Sequence, residues 1–131
     1  MITLFGGEPT LHKDRFIDIC TNVKIFSIST NLLYIDEDIM KIMSNPGVGI
    51  ATSWNMTRFT PLQFSHWIGN LKQLSRERHD VMVLVTMTPD LIQESSFDKV
   101  LAVLNEIDQT QCVESVLFEH LVSPDATAEF H

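Results

Sequence analysis

Positive charge is scarce in this sequence. Its 131 residues carry nine Lys and Arg against seventeen Asp and Glu, for a formal charge of -8 and a pI near 4.9. A surface for nucleic acid needs clustered cations, which the chain does not have, so that class of partner is excluded. Cysteine is scarcer still. Cys20 and Cys112 stand far apart, one in a predicted helix and one before a predicted strand, which supports neither a disulfide framework nor a metal knuckle. Both are expected as buried free thiols. The five histidines, His12, His66, His79, His120 and His131, fall on separate predicted elements and form no metal-ligand set. No apolar run reaches the length of a membrane span, and the N-terminus lacks the basic start and small-residue cleavage site of a signal peptide. No membrane partner is expected, and the chain reads as cytoplasmic. Repeats, low-complexity tracts and linkers are missing too, so residues 1–131 read as a single domain.

What is present is enough apolar material for a core, with 44% hydrophobic and 20% charged residues. Apolar runs alternate with helical patterns, the form that βαβ units take in sequence. Strands are predicted at Ile2–Phe5, Lys24–Ser29, Val48–Ser53, Val81–Thr86 and Val113–Phe118. The run "VMVLV" shows no polar alternation, as expected for a strand covered on both faces. Helices are predicted at Thr10–Thr21, Asp36–Met43, from Thr60 through Leu74, and at Ser96–Ile107. In "TPLQ", Thr60 is the expected N-cap, Pro61 the first helical residue and Gln63 the reciprocal partner of a capping box. Phe64, Trp67, Ile68, Leu71 and Leu74 recur at helical spacing and are assigned to the core. Phe97, Val100, Leu101, Leu104 and Ile107 are the expected buried stripe of the last helix. Asn45-Pro46-Gly47 reads as a helix stop. The fold class is therefore α/β, with parallel βα repeats.

The stretch "ITLFGGEPTL", Ile2 to Leu11, then asks what its glycines serve. Glycines after a strand often cradle phosphate, but a dinucleotide loop wants G-x-G-x-x-G and a triphosphate loop ends in Gly-Lys-Ser/Thr. Here Gly7 precedes the anion Glu8 and then Pro9, which has no N–H. Phosphate would be repelled. The stretch offers acceptors instead: carbonyls that glycine lets a ligand approach, and a carboxylate held extended because it precedes proline. Such a site suits a small ammonium group. The alternative is a tight turn with a merely solvated Glu8.

Ligands of parallel α/β sheets sit at the carboxyl ends of the strands. That rim reads Gly6-Gly7-Glu8-Pro9, then Ser29-Thr30-Asn31, then Thr52-Ser53-Trp54-Asn55 with Arg58 close behind, then Thr86-Met87-Thr88, and finally Glu119-His120. The order resembles the radical S-adenosylmethionine enzymes, whose partial (β/α) barrel carries GGEP after its second strand and Thr-Asn, often Thr-Asn-Gly, after its third. The resemblance covers nearly the whole chain and implies a partial TIM-type barrel, here of about five strands and four helices. It implies that Gly6, Gly7, Glu8 and Pro9 receive the amino group of S-adenosylmethionine and that Thr30 lies near the methionine end of that cofactor. Asn31 would hold its loop, Ser53 would meet ribose or carboxylate, and Arg58 would face the carboxylate. Leu32 departs from the usual glycine, which sets the backbone of that loop apart, because leucine tolerates a left-handed conformation poorly.

A larger departure is the missing C-x-x-x-C-x-x-C loop, which in that family binds the [4Fe-4S] cluster. Cys20 and Cys112 cannot replace it. The chain is expected to be the central part of a longer radical S-adenosylmethionine enzyme, without its N-terminal cluster-binding βα unit and its C-terminal segments. By itself it would bind S-adenosylmethionine weakly and would not cleave it. The alternative is a cluster-free half-barrel that acts as a binding or assembly module completed by another chain. In either case "ITLF" carries no lysine or proline to discourage strand pairing. A homo-oligomer formed through this strand edge is the expected assembly.

Overall fold

Each predicted strand forms within a residue or two of its expected ends. The computed structural model describes residues 2–4, 6–55, 60–87 and 94–120. Among these lie five strands, β1 (Ile2–Leu4), β2 (Ile25–Thr30), β3 (Gly49–Asn55), β4 (Val81–Met87) and β5 (Val113–His120), and four helices, α1 (Lys13–Asn22), α2 (Glu37–Met43), α3 (Pro61–Leu74) and α4 (Glu94–Gln109). A 3₁₀ turn at Pro9–Leu11 precedes α1. All strands are parallel, and their order in the sheet is the order in the chain. Right-handed crossovers in unbroken sequential order put every helix on one face of the sheet, which is the arrangement of a partial βα barrel.

The register shows which side chains go where. Directly paired residues of parallel strands point to the same face, and successive residues to opposite faces. Ile28, Ile50, Thr52, Trp54, Val81, Val83 and Val85 are buried beneath the helices. They meet Phe16 of α1, Ile39, Met40 and Met43 of α2, Trp67, Ile68, Leu71 and Leu74 of α3, and Val100 and Ile107 of α4. The opposite face carries Thr3, Ser27, Gly49, Ala51, Ser53, Met82, Leu84 and Leu117, from the pairings Thr3↔Ser27↔Gly49, Ala51↔Met82 and Ser53↔Leu84↔Leu117. No helix covers that face among the described residues, and Met82 and Leu117 remain 44% and 50% exposed. The two-sided cover expected from "VMVLV" is therefore not found. The run is apolar on both faces but packed on one.

Local chemistry sets the helix boundaries. The side chain of Asp36 accepts from Ile39 N at 3.0 Å and caps α2, and both halves of the capping box at Thr60 and Gln63 are made. Asn45-Pro46-Gly47 ends α2 as expected, with Asn45 Oδ1 accepting from Gly47 N. One expectation is corrected. On α4 the buried stripe is Val100 and Ile107, with Val103 and Leu104 packed at its margin, whereas Phe97 and Leu101 are 47% and 44% exposed. Both lie on one flank of that stripe at 100° per residue, so helical spacing alone includes them while the sheet does not reach them.

The sequence reading also passed over Arg78. Its side chain is 2% exposed and makes a bidentate pair with Asp80, at 2.7 and 3.0 Å. Its Nη1 donates to the carbonyls of Met43 and Asn45 at 2.8 and 3.3 Å, satisfying the C-terminal end of α2.

Candidate functional site

The rim at the carboxyl ends of β1 to β3 is organised by one carboxylate. Glu8 is extended, at φ -122° and ψ 107°, as its place before Pro9 dictates, and it is the N-cap of the 3₁₀ turn. Its Oε2 accepts from Thr10 N at 3.2 Å, from the Thr10 hydroxyl, and from the Thr30 hydroxyl at 2.6 Å. Its Oε1 accepts from Asn31 N at 2.6 Å. A carboxylate has about four lone-pair sites, two on each oxygen. Oε2 is thus fully engaged, and Oε1 keeps room for one further donor.

These bonds join the Gly-Gly-Glu-Pro loop to the Thr-Asn loop across 22 and 23 residues of sequence. The second loop is tightly built in turn. Thr30 Oγ1 accepts from Leu32 N at 3.1 Å, and Asn31 Oδ1 accepts from Leu33 N at 3.0 Å in an Asx turn. Leu32 is fully buried with φ 59°, and its carbonyl accepts from Asn70 Nδ2 of α3 at 2.6 Å. Leu32, which stands where the motif resemblance would place glycine, therefore does adopt the left-handed conformation. Gly6 and Gly7 lie in the same region, at φ 83° and 61°. A Cβ built on either would meet nothing within 4 Å, so glycine is required there by conformation and not by crowding.

Gly7, Glu8, Ser29, Thr30, Asn31 and Ser53 line one cleft of about 160 Å³. The structure thus brings together five of the ligand-binding candidates named from sequence, with Ser29 of the expected rim beside them. Gly6 and Pro9 instead face a neighbouring groove of about 290 Å³ between β1 and α1, lined also by Leu4, His12, Arg15, Phe16 and Ile19. Arg58 lies outside the described residues. Beside the rim, Lys13 reaches Asp36 at 2.5 Å and Asp38 at 2.9 Å, tying the start of α1 to the start of α2. The hydrogen bond from Ile39 N, with the Lys13 ammonium beside it, holds the Asp36 carboxyl below its ordinary range.

Chemically, the cleft suits the polar end of a ligand. It is smaller than the ~300–1,000 Å³ typical of pockets that enclose a whole small molecule. It offers the hydroxyls of Ser29 and Ser53 and the remaining lone pair of Glu8 Oε1, a mixed set that fits an amino-acid-like head. The closely spaced thiolates that an iron–sulfur cluster needs cannot come from this chain's two cysteines. Cys20 lies towards the C-terminal end of α1 and Cys112 just before β5, both at the end of the sheet opposite the rim. Burial raises both thiols, Cys112 to about 11, so neither has the thiolate character a ligand needs. No group of three or more His, Cys, Asp or Glu suited to a metal occurs among the described residues.

Thr10 and Asn70 went unnoticed in the sequence. Thr10 carried a weak signal, two residues after the carboxylate it binds; Asn70 carried none, being 38 residues from its partner. Comparison of the chain with the profiles of known protein families, with curated proteins and with solved structures finds no match.

Proposed function

We propose that the rim of β1 to β3 holds the aminoacyl end of S-adenosylmethionine, as in the radical S-adenosylmethionine enzymes that the motif order resembles, in a chain that does not itself ligate the cluster. The observation that carries this reading is the set of bonds on Glu8. Two motifs noted separately in the sequence meet at one carboxylate, and the glycine-replacing Leu32 keeps a positive φ. The ligand's ammonium would sit by Gly7 and Glu8 Oε1, and its carboxylate by the hydroxyls of Ser29 and Ser53. When bound, the cofactor would supply a sulfonium whose S–C bond can break to release methionine; these residues would bind and orient it.

Titration calorimetry with S-adenosylmethionine tests the reading. The expected constant is millimolar, about -4 kcal/mol, since a cleft this small engages one end of the molecule. Glu8→Gln should abolish the signal, because an amide N–H₂ in place of one oxygen opposes donors already aimed there. A micromolar constant that Glu8→Gln leaves unchanged overturns the reading. Reconstitution with iron and sulfide is expected to give no cluster absorption and no deoxyadenosine.

A second reading, a cluster-free module completed by another chain, is favoured by the uncovered sheet face and by the outer edge of β1, which has no neighbouring strand among the described residues. It leads to the expectation of a homo-oligomer built through that edge. Light scattering should give a mass above that of one chain, reduced by Thr3→Pro, which removes a strand N–H; a monomer at high concentration sinks the idea.

A further inference from the structure

We infer that Asn70 is a positioning residue for the rim: from α3 it holds the loop after β2 in the left-handed turn that presents Thr30 and Asn31 to Glu8. The turn is unfavourable for its residue. Leucine at φ 59° brings its Cβ against the following carbonyl, so the surroundings must hold it there. Burial of the Leu32 side chain is strong but not directional. The bond from Leu32 N to Thr30 Oγ1 is local to the loop. The bond from Asn70 Nδ2 to Leu32 O, at 2.6 Å, ties this backbone to a separate rigid element.

That element is itself well anchored. Three residues earlier on the same helix face, Trp67 is fully buried and its Nε1 donates to Thr52 Oγ1 of β3 at 2.9 Å. The helix start is fixed by the Thr60–Gln63 capping box. α3 therefore works as a bracket with one arm on β3 and one on the β2 loop. Asparagine suits the second arm because it is short and donates; aspartate would set oxygen against oxygen, and alanine would leave the carbonyl of a fully buried residue without this partner. The effect on Thr30 and Asn31 stands on the loop geometry alone. The effect on ligand binding rests on the reading of the cleft proposed above.

Amide hydrogen exchange followed by NMR separates these effects. Asn31, Leu32 and Leu33 donate their amides to Glu8, Thr30 and Asn31, and so report on the turn. In Asn70→Ala and in Asn70→Asp these three are expected to exchange about tenfold faster, while amides in the middle of β3 and β4 change by less than about twofold. Trp67→Phe, which removes the other arm, should instead speed exchange throughout the sheet. Equal acceleration at all sites in the Asn70 variants, or none at the three reporters, overturns the inference. Titration with S-adenosylmethionine is then followed on the amides of Gly7, Ser29 and Ser53. Weaker binding in Asn70→Ala supports the effect on the ligand, and equal binding refutes it. If the unmodified chain shows no ligand-induced shifts, the reading of the cleft falls while the exchange data still decide the role of Asn70.

Discussion

Arg78 follows α3 with its side chain almost wholly out of water, and its donors are divided between one carboxylate and two carbonyls. A guanidinium can make that fork; a lysine ammonium, with a single nitrogen, cannot. Arg78→Ala should cost about 2–4 kcal/mol, from stranded partners and lost packing, and Arg78→Lys should recover only a minor part. Urea denaturation of the two variants checks this. Apart from its pairing with Asp80 two residues on, Arg78 was as silent in the sequence as Asn70, and for the same reason. A bond made across 33 to 38 residues leaves no local spacing to read. Glu8, Thr30 and Asn31 were legible because motif order places them at neighbouring strand ends. Their direct bonding was not, since a carboxylate before proline looks the same in sequence whether it waits for a ligand or is already held by its neighbours.

Among the elements, the strands were read most closely because their β-branched runs are short and bounded by turn residues, and because parallel pairing makes few demands beyond an apolar stretch. α3 was equally plain, with its start encoded in the four residues of the capping box, Thr60 to Gln63, and its buried face in the spacing that follows. α4 shows where periodicity stops deciding. A helix laid on a sheet buries a narrow stripe, and apolar residues flanking it stay wet whatever their spacing. Ile107→Ala should therefore cost about 2–5 kcal/mol, and Leu101→Ala less than about 0.5 kcal/mol. Thermal denaturation that gives the two variants equal losses would show that α4 is seated differently.

Over the whole molecule, burial of Cys112 introduces an alkaline limit. Its thiol is raised from 9.0 to about 11, chiefly because burial penalises the thiolate. The unfolded chain ionises first, so this contribution to stability is complete below about pH 9 and is lost as pH rises towards 11. Chemical denaturation from pH 8 to 11 should show a decline that is flatter in Cys112→Ala; parallel curves would remove the thiol as the cause. The sequential order of the sheet has a different kind of consequence, one that concerns synthesis. The strands begin at residues 2, 25, 49, 81 and 113, so successive starts are 23 to 32 residues apart, and among the described residues strands pair only with their neighbours in the chain. At about 5–20 residues per second, a ribosome delivers each new strand roughly 1 to 6 s after its predecessor, far longer than the microseconds to milliseconds in which helices and local pairings form. From β2 onward, each described strand thus emerges after its first partner has been made. The described sheet can therefore grow in the order of translation, one strand at a time from β1 to β5, with no strand having to insert between two already paired.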